Sequence, residues 1–545
     1  MKRSIALASV VVTAVATVVV YAGTGGSAAP ASPPMSTQRL AQHILKTRAR
    51  SFLTAPALGA VTLAATGRAS LATSAPIQFG DVPDSSGGSV GAAVKPHGGT
   101  PPNVRVNDPS VDTHQTDQTT QSETTIAVAG SHVAVGFNDS QQGLLFLTPG
   151  ADLNGYAYSS DGGSSWTDGG TIPNLTGLVN LGDPWLAADA AGTMYYSSLA
   201  LDGASGNLFV GVARSDDGGA TWNKPVLASP SSRFGYSGDK PALTSGPLPG
   251  GHAQSVLYDT WDDFFCDRTN CYTGLPVSRS VDGGKTWQVT YADRFTLPME
   301  TCSFQQYIGA QPLIDPTDGT LYVAAEKIAV DDPSCIGGTV QFSESLFTST
   351  DGGQSFDGGR TIGKVTPATE FGALKLGRGK YMRTIEFPVL ALDGHTLYVA
   401  WNDGRQAPHS HIILFRSTDG GATWTHRMAT TGDGDELQPA ISADDSGIHL
   451  LYYRRGSDNK LTVDMAGTTD GTSFTHTQVS DQSFPGVLNV PNFDPLIAWG
   501  YMGDYVANVS DGGHLYLAWG DNRDKVTNFL YPKGRNDPDV FFAKR

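Results

Sequence analysis

The sequence predicts an all-β fold, a β-propeller with seven blades preferred and six as the alternative. Three observations carry that expectation. An octapeptide recurs as "SSDGGSSW" from Ser159, "SDDGGATW" from Ser215, "SVDGGKTW" from Ser280, "STDGGQSF" from Ser349 and "STDGGATW" from Ser417, and a sixth, shorter copy reads "TTDGTSF" from Thr468. The aspartates of these boxes, Asp161, Asp217, Asp282, Asp351, Asp419 and Asp470, follow one another at 56, 65, 69, 68 and 51 residues, a period suited to one four-stranded blade with variable loops. The composition agrees: the 545 residues include 65 Gly and 32 Pro and only 16% are charged, which favours short strands and turns over long helices.

Taken in order, the chain opens as an export signal over residues 1–30. Lys2 and Arg3 supply the positive start, residues 4–22 are almost wholly apolar, and small residues follow up to cleavage near Ala29 or Ala31. An uncleaved anchor is the alternative, and only then would the chain meet a membrane. Residues 31–110 read as a disordered linker or pro-segment rich in Ala, Gly, Ser, Thr and Pro, with one short amphipathic helix capped by Ser36. The propeller is assigned to residues 111–545.

Within the propeller, each box is preceded by an apolar strand, a turn and a second strand that ends in a polar loop. "TTIAVAGSHVAVGFND" and "FPVLALDGHTLYVAWNDGR" are two of seven such copies. The seventh, "GDYVANVSDGGHLYLAWGDNR", has no box after it, only the strand-like "DPDVFFAKR". Its sheet lacks a fourth strand. A strand near "NVRVND" at the start of the fold would supply it and leave no open edge.

The four cysteines suit an exported, extracellular protein. Pairing Cys266 with Cys271 and Cys302 with Cys335 is preferred among the three connectivities. No Cys-x-x-Cys occurs and the histidines are scattered, so no metal is expected at the cysteines. A net charge of -16 argues against a nucleic-acid partner, since phosphate binding needs a basic face. No cofactor is expected; the weak candidate is calcium in "TGDGDE", through Asp433, Asp435 and Glu436, without the spacing of an EF-hand. A monomer is expected.

The box itself has a mechanical reading. Its Asp accepts backbone N–H bonds in a tight turn, its glycines allow positive φ, and its terminal Trp or Phe anchors between neighbouring sheets. The pattern Ser-x-Asp-x-Gly-x-x-Trp resembles the Asp-box, or bacterial neuraminidase repeat, of the sialidase superfamily, over roughly residues 121–545. The resemblance implies a propeller whose boxes sit between the third and fourth strands, away from the catalytic face. It makes the box a structural element.

Chemistry is therefore expected on the opposite face, in loops that lead into the inner strands or follow the second strands. The first set offers Glu123, Asp183, Asp239, Lys240, Gln311, Glu386, Glu436, Gln438, Tyr501 and Asp504. The second offers Asp139, Asp259, Asp262, Glu326, Asp403, Arg405, Arg454, Asp521 and Arg523. A glycosidase needs two carboxyls, or a carboxyl and a Tyr nucleophile, about the scissile bond, and an acidic sugar needs Arg forks. By resemblance, Asp139 is the nearest match to the family's acid/base Asp and Tyr501 to its late Tyr nucleophile. Glu386 and Asp504 complete the catalytic candidates. Arg383, Asp403, Arg405, Asp521 and Arg523 are the substrate-binding candidates. The family's Arg-Ile-Pro motif on the first blade is missing. "RTIEFP" from Arg383 is an interrupted version in the fifth repeat.

The functional expectation is a secreted, sialidase-like propeller that hydrolyses extracellular glycans. The alternative is a non-catalytic propeller that binds glycan or protein through the same face.

Overall fold

The computed structural model describes residues 101–112, 119–140, 152–202, 205–231, 234–250, 252–267, 269–297, 303–333, 338–368, 373–375, 381–486, 502–527 and 532–545. The expected signal peptide and most of the expected linker lie outside these residues. Among the described residues, the only helical element is a 3-10 turn at Pro109–Val111, which starts where Asp108 accepts the Ser110 N–H at 2.9 Å. No described helix is long and apolar enough to cross a membrane.

Strands fall into successive antiparallel four-strand meanders. The first runs through Gln121–Ala129, His132–Asp139, Asn154–Ser159 and Thr167–Thr171. The second runs through Trp185–Ala188, Met194–Leu201, Leu208–Ser215 and Val226–Leu227, and the third through Phe234–Leu248, His252–Cys266, Cys271–Ser280 and Gln288–Thr296. One parallel bridge, Ser237 to Leu208, joins these two. The fourth uses Phe304–Ile314, Leu321–Asp331, Thr339–Ser349 and Arg360–Val365. The fifth uses Val389–Asp393, Thr396–Asp403, His411–Ser417 and Thr425–Met428, and the sixth Glu436–Asp444, Gly447–Arg455, Lys460–Thr468 and Thr475–Gln478. The last has Ala507–Asp511, His514–Val526 and Arg535–Lys544, with Val104–Arg105 as its fourth strand. Val104 pairs with Phe542 and Arg105 with Phe541, so the "NVRVND" segment takes the place anticipated for it. A short hairpin, Ala373–Lys375 with Tyr381–Arg383, stands apart from the meanders.

The first strands of the meanders touch in cyclic order, each against the next, and that of the last against that of the first. Apolar clusters fill the spaces between consecutive sheets. One joins Val133, Val135 and Phe137 of the first meander to Tyr516, Ala518, Val540 and Phe542 of the last. The sequence dictates this: strands such as "HLYLAW" bury nearly every residue because both sheet faces are covered.

The boxes occupy the turns between third and fourth strands in six meanders. In the first box, Asp161 Oδ1 accepts the Ser165 N–H at 2.9 Å and Oδ2 accepts the Ser165 hydroxyl at 2.6 Å. The Ser159 hydroxyl donates to Asp161 Oδ1 at 2.8 Å and accepts the Gly163 N–H at 2.9 Å. The same bonds recur about Asp217, Asp282, Asp351 and Asp419. In the short copy, Asp470 accepts from Thr472 and Ser473 instead. The second glycine of each full box faces the preceding sheet. Gly163 (φ 89°) meets Phe542 of the last meander, Gly219 meets Ala134, and Gly353 meets Tyr258. Trp166 stands edge-on to Phe542 with centroids 4.9 Å apart.

The first strands of four meanders carry a bulge, with register breaks at Ser122/Thr125, Asp239/Ala242, Ile308/Gln311 and Leu437/Ala440. Residues there turn left-handed: Glu123 at φ 53°, Lys240 at 52° and Gln438 at 50°, with Asp183 at 55° just before the second meander's first strand. A non-glycine residue in this region costs about 1–2 kcal/mol and persists only where its surroundings hold it. An Asn at the end of the preceding sheet's second strand does so twice. Asn138 Oδ1 accepts the Asp183 N–H at 2.8 Å, and Asn402 Oδ1 accepts the Gln438 N–H at 3.1 Å.

Candidate active site

Two of these bulges bring Glu123 and Lys240 from different sheets together. The first meeting point is built around Lys240. Its Nζ lies 2.7 Å from Glu123 Oε1, 3.2 Å from Asp183 Oδ2 and 2.7 Å from Asp504 Oδ2. Three carboxylates from the first, second and last meanders thus meet one ammonium from the third. All four side chains are within 3% of complete burial. Asn138 Nδ2 donates to Glu123 Oε2 at 3.0 Å. Burial pushes Asp183 up to about 6 against the pull of Lys240. Burial likewise raises Glu123, helped by Asp183 and opposed by Lys240. Of this group only Asp504 was among the catalytic candidates; Asp183 precedes a first strand as expected, whereas Glu123 and Lys240, expected in the entering loops, lie within first strands at their bulges.

A second point gathers glutamates. Glu326 and Glu344 are direct cross-strand partners in the fourth meander, and like charges in that relation repel. Both oxygens of Glu344 are buried without a hydrogen-bond partner, as is Oε1 of Glu326. Burial drives both carboxyls well above their ordinary range, helped at Glu326 by the charge of Glu386 and at Glu344 by those of Glu326, Glu386 and Asp403. Glu386 stands beside them. Its Oε1 accepts the Ala368 N–H at 3.0 Å. Burial pushes it up to about 8, and the charge of nearby Asp403 adds to the rise. Glu386 therefore holds its proton at neutral pH, the condition for a general acid. Glu344 was missed from the sequence because it lies mid-strand, in "QFSESLF", with nothing local to mark it.

Asp403 and Arg405 form a closed unit next to Glu386. Arg405 donates from Nε to Asp403 Oδ1 at 2.8 Å and from Nη2 to Oδ2 at 2.9 Å, while Trp401 Nε1 donates to Oδ2 at 3.1 Å. The last meander repeats the device. Arg523 Nη2 meets Asp521 Oδ2 at 2.6 Å and Trp519 Nε1 donates to that oxygen at 3.2 Å. Arg523 is also held by Asp481 at 2.5 Å and covers the Phe541 ring at 4.1 Å. The two arginines differ in access: the side chain of Arg405 is 29% exposed and that of Arg523 only 7%.

Asp139 ends the second strand of the first meander, 1% exposed, and accepts from Gln121 Nε2 at 3.3 Å. Asp139, Glu386 and Asp504 therefore have different immediate neighbours: Gln121, the glutamate pair and Lys240. Tyr501 lies outside the described residues, as do Cys302 and Cys335. Arg383 ends the separate hairpin, its side chain outside the described part. Cys266 and Cys271 are disulfide-bonded across the hairpin turn. In the "TGDGDE" loop, Asp435 pairs with Arg455 and accepts the Ser410 N–H at 2.9 Å, and Glu436 meets His411 Nδ1 at 2.6 Å.

No family model and no curated protein matches this sequence. Solved structures do resemble the fold. An α-L-arabinofuranosidase of Fusarium graminearum is 15% identical with a TM-score of 0.41, over 68% of this chain and 97% of that one. An α-L-arabinanase of Penicillium chrysogenum is 15% identical with a TM-score of 0.43, over 67% and 98%. A sialidase of Trypanosoma rangeli is 12% identical with a TM-score of 0.38, over 67% of this chain and 57% of the sialidase chain.

Proposed function

We propose that this chain is a secreted, seven-bladed β-propeller of sialidase-like kind that hydrolyses extracellular glycans as a monomer. The observation that carries the reading is Glu386, a carboxyl that keeps its proton at neutral pH beside a second carboxyl, Asp403, whose orientation is fixed by Arg405 and Trp401. Glycoside hydrolysis needs that pairing: one group to protonate the departing oxygen and one to meet the developing positive charge or prime a water. In this role Glu386 donates its proton to the glycosidic oxygen. Asp403, buried and held by Arg405 and Trp401, acts through its charge on the developing cation, and the partly exposed guanidinium of Arg405 grips a polar substituent. The cyclic order of the first strands supports the seven-blade reading, and the disulfide supports an extracellular site of action.

A second reading, a propeller that binds glycan or protein without turning it over, is favoured by one observation. Candidate site groups are already engaged within the protein: the substrate-binding candidates Arg523 and Asp521 with each other, Arg523 also with Asp481, and the catalytic candidate Asp504 with Lys240. A panel of chromogenic α- and β-glycosides, a sialoside included, separates the two. Turnover by the mature protein that Glu386→Gln lowers by about 10²-fold or more supports hydrolysis. No turnover on any glycoside, with retained binding on a glycan array, supports the binding protein.

A further inference from the structure

The junction of the first and last meanders holds a third group of acids, away from Glu386 and independent of the reading above. One carboxylate oxygen from each of Asp112, Asp537 and Asp539 lies within 4.8 Å of the others, and all three residues are buried. That span matches two Ca–O bonds of about 2.4 Å placed across one ion. The acids come from opposite ends of the fold: Asp112 follows the 3-10 turn near the start, and the other two lie on the last strand.

Each acid has one oxygen oriented by a donor. Gln121 Nε2 donates to Asp112 Oδ1 at 3.0 Å. Asn107 Nδ2 donates to Asp539 Oδ1 at 2.8 Å, and the Thr119 hydroxyl to Asp537 Oδ1 at 2.6 Å. Such outer partners fix carboxylates in a metal site. The decisive atom is Asp112 Oδ2. Asp112 is 7% exposed, and this oxygen is buried with no hydrogen-bond partner while three other carboxyls, Asp139, Asp537 and Asp539, act on it electrostatically. A buried carboxylate oxygen without a donor is costly unless something positive meets it.

The local charges do not supply that. Arg535 holds Asp537 at 2.7 Å, and Arg105 stands 3.9 Å from Asp539 but 2.7 Å from Asp524. Two guanidiniums face the four carboxyls of Asp112, Asp139, Asp537 and Asp539. Asp539 is moreover the cross-strand partner of Asp521.

We propose that Asp112, Asp537 and Asp539 bind a calcium ion that fastens the start of the fold to its last strand. Hard carboxylate oxygens without nitrogen or sulfur ligands select calcium over a softer ion. The ion fixes ring closure and takes no part in the reaction.

The test uses the mature full chain, stripped with chelator and dialysed against calcium chloride. About one tightly bound calcium per chain is expected, with a thermal midpoint raised by several degrees over the chelated protein. Asp112→Asn should weaken calcium binding about tenfold or more and abolish the thermal shift. Should Asp112→Asn fail to fold, limited proteolysis of the wild-type protein decides. Calcium should protect the chain between residues 101 and 120, and chelation should expose it. Absence of bound calcium, a shift that survives Asp112→Asn, or calcium protection confined to other segments each overturns the site.

Discussion

Lys240 of the third meander reaches Glu123 of the first, Nζ to Oε1 at 2.7 Å, past the whole of the second. The two meet because the first strands of the first three meanders lie side by side in order. The same ammonium touches Asp183 and Asp504, so a single side chain ties together four sheets. Buried ion groups of this kind add little net stability when intact but are costly to break.

Lys240→Met is therefore expected to destabilise the protein by about 3–5 kcal/mol, because it leaves Glu123, Asp183 and Asp504 buried without their cation. Urea denaturation measures it. Adding Glu123→Gln to Lys240→Met should restore part of the loss. A loss under about 1 kcal/mol in the single variant would show that the three acids do not depend on the lysine.

Glu386 gives a signed dependence on pH. Its folded value, about 8, stands above the ordinary unfolded value near 4.3. The folded protein therefore holds a proton that the unfolded chain has released between those limits. The contribution is fully present below about pH 4 and is lost as pH rises through about 8. Glu386→Gln, which cannot ionise, should flatten the fall in stability over that interval, as read by thermal midpoints at stepped pH. In a hydrolase, turnover should decline on the alkaline side of about pH 8.

The box fastener is checked at its glycine. Gly163 sits at φ 89°, and an added Cβ would run into the Phe542 ring. Gly163→Ala is expected to cost about 2 kcal/mol through backbone strain and overpacking. Gly170 also has positive φ but nothing within 4 Å of an added Cβ, so Gly170→Ala, carrying strain alone, should cost less. Equal losses would mean that the contact with Phe542 does not matter.

Asp161 carries the acid side. The Ser165 hydroxyl, followed by the Ser165 N–H, holds its carboxyl down to about 2. Its contribution is present above the unfolded value near 3.9 and is lost as pH falls through about 2. Asp161→Ala should lower the thermal midpoint at neutral pH and leave a smaller acid-induced drop than wild type.

The "WNDGR" and "WGDNR" loops look alike in sequence but should respond differently. Arg523→Ala strips a buried Asp521 of its cation and is expected to cost about 3 kcal/mol or more. Arg405 is more exposed, and Asp403 keeps bonds from Trp401 and the Thr366 N–H. Arg405→Ala should cost about 1–2 kcal/mol and reduce glycoside turnover or glycan binding more than its stability loss explains. Matching effects of the two changes on binding would remove the distinction.

The repeated motif made the sheets legible because the box is local: its bonds span four residues, so spacing alone places every third-to-fourth turn. The strand completing the last sheet was legible for a different reason, since that meander lacked a partner and "NVRVND" was the spare strand. The polar groups were legible only as positions. Glu123, Asp183 and Lys240 were assigned to loops entering the first strands; Asp183 lies in one and the other two lie at bulges within the strands, yet nothing in the sequence says that they meet. Each left-handed bulge rotates its residue toward the axis, and the Pro after Asp183, Lys240 and Gln438 is the only local trace of that turn. Glu344, between Ser343 and Ser345, and Asp537, between Asn536 and Pro538, sit inside strands, where an acid in such company reads as solvent-facing until the covering sheet is known.

The bridge between Val104 and Phe542 sets the timetable of folding. During synthesis the first of these residues leaves the ribosome more than 400 positions before the second, and the box glycine Gly163 must wait 379 positions for the same ring. Individual sheets can assemble as they emerge, but the ring can lock only at the end of translation. Until then, the facing surfaces of the first and last sheets are exposed apolar surface, the kind that chaperones hold and that pairs with a neighbouring chain when it is not held.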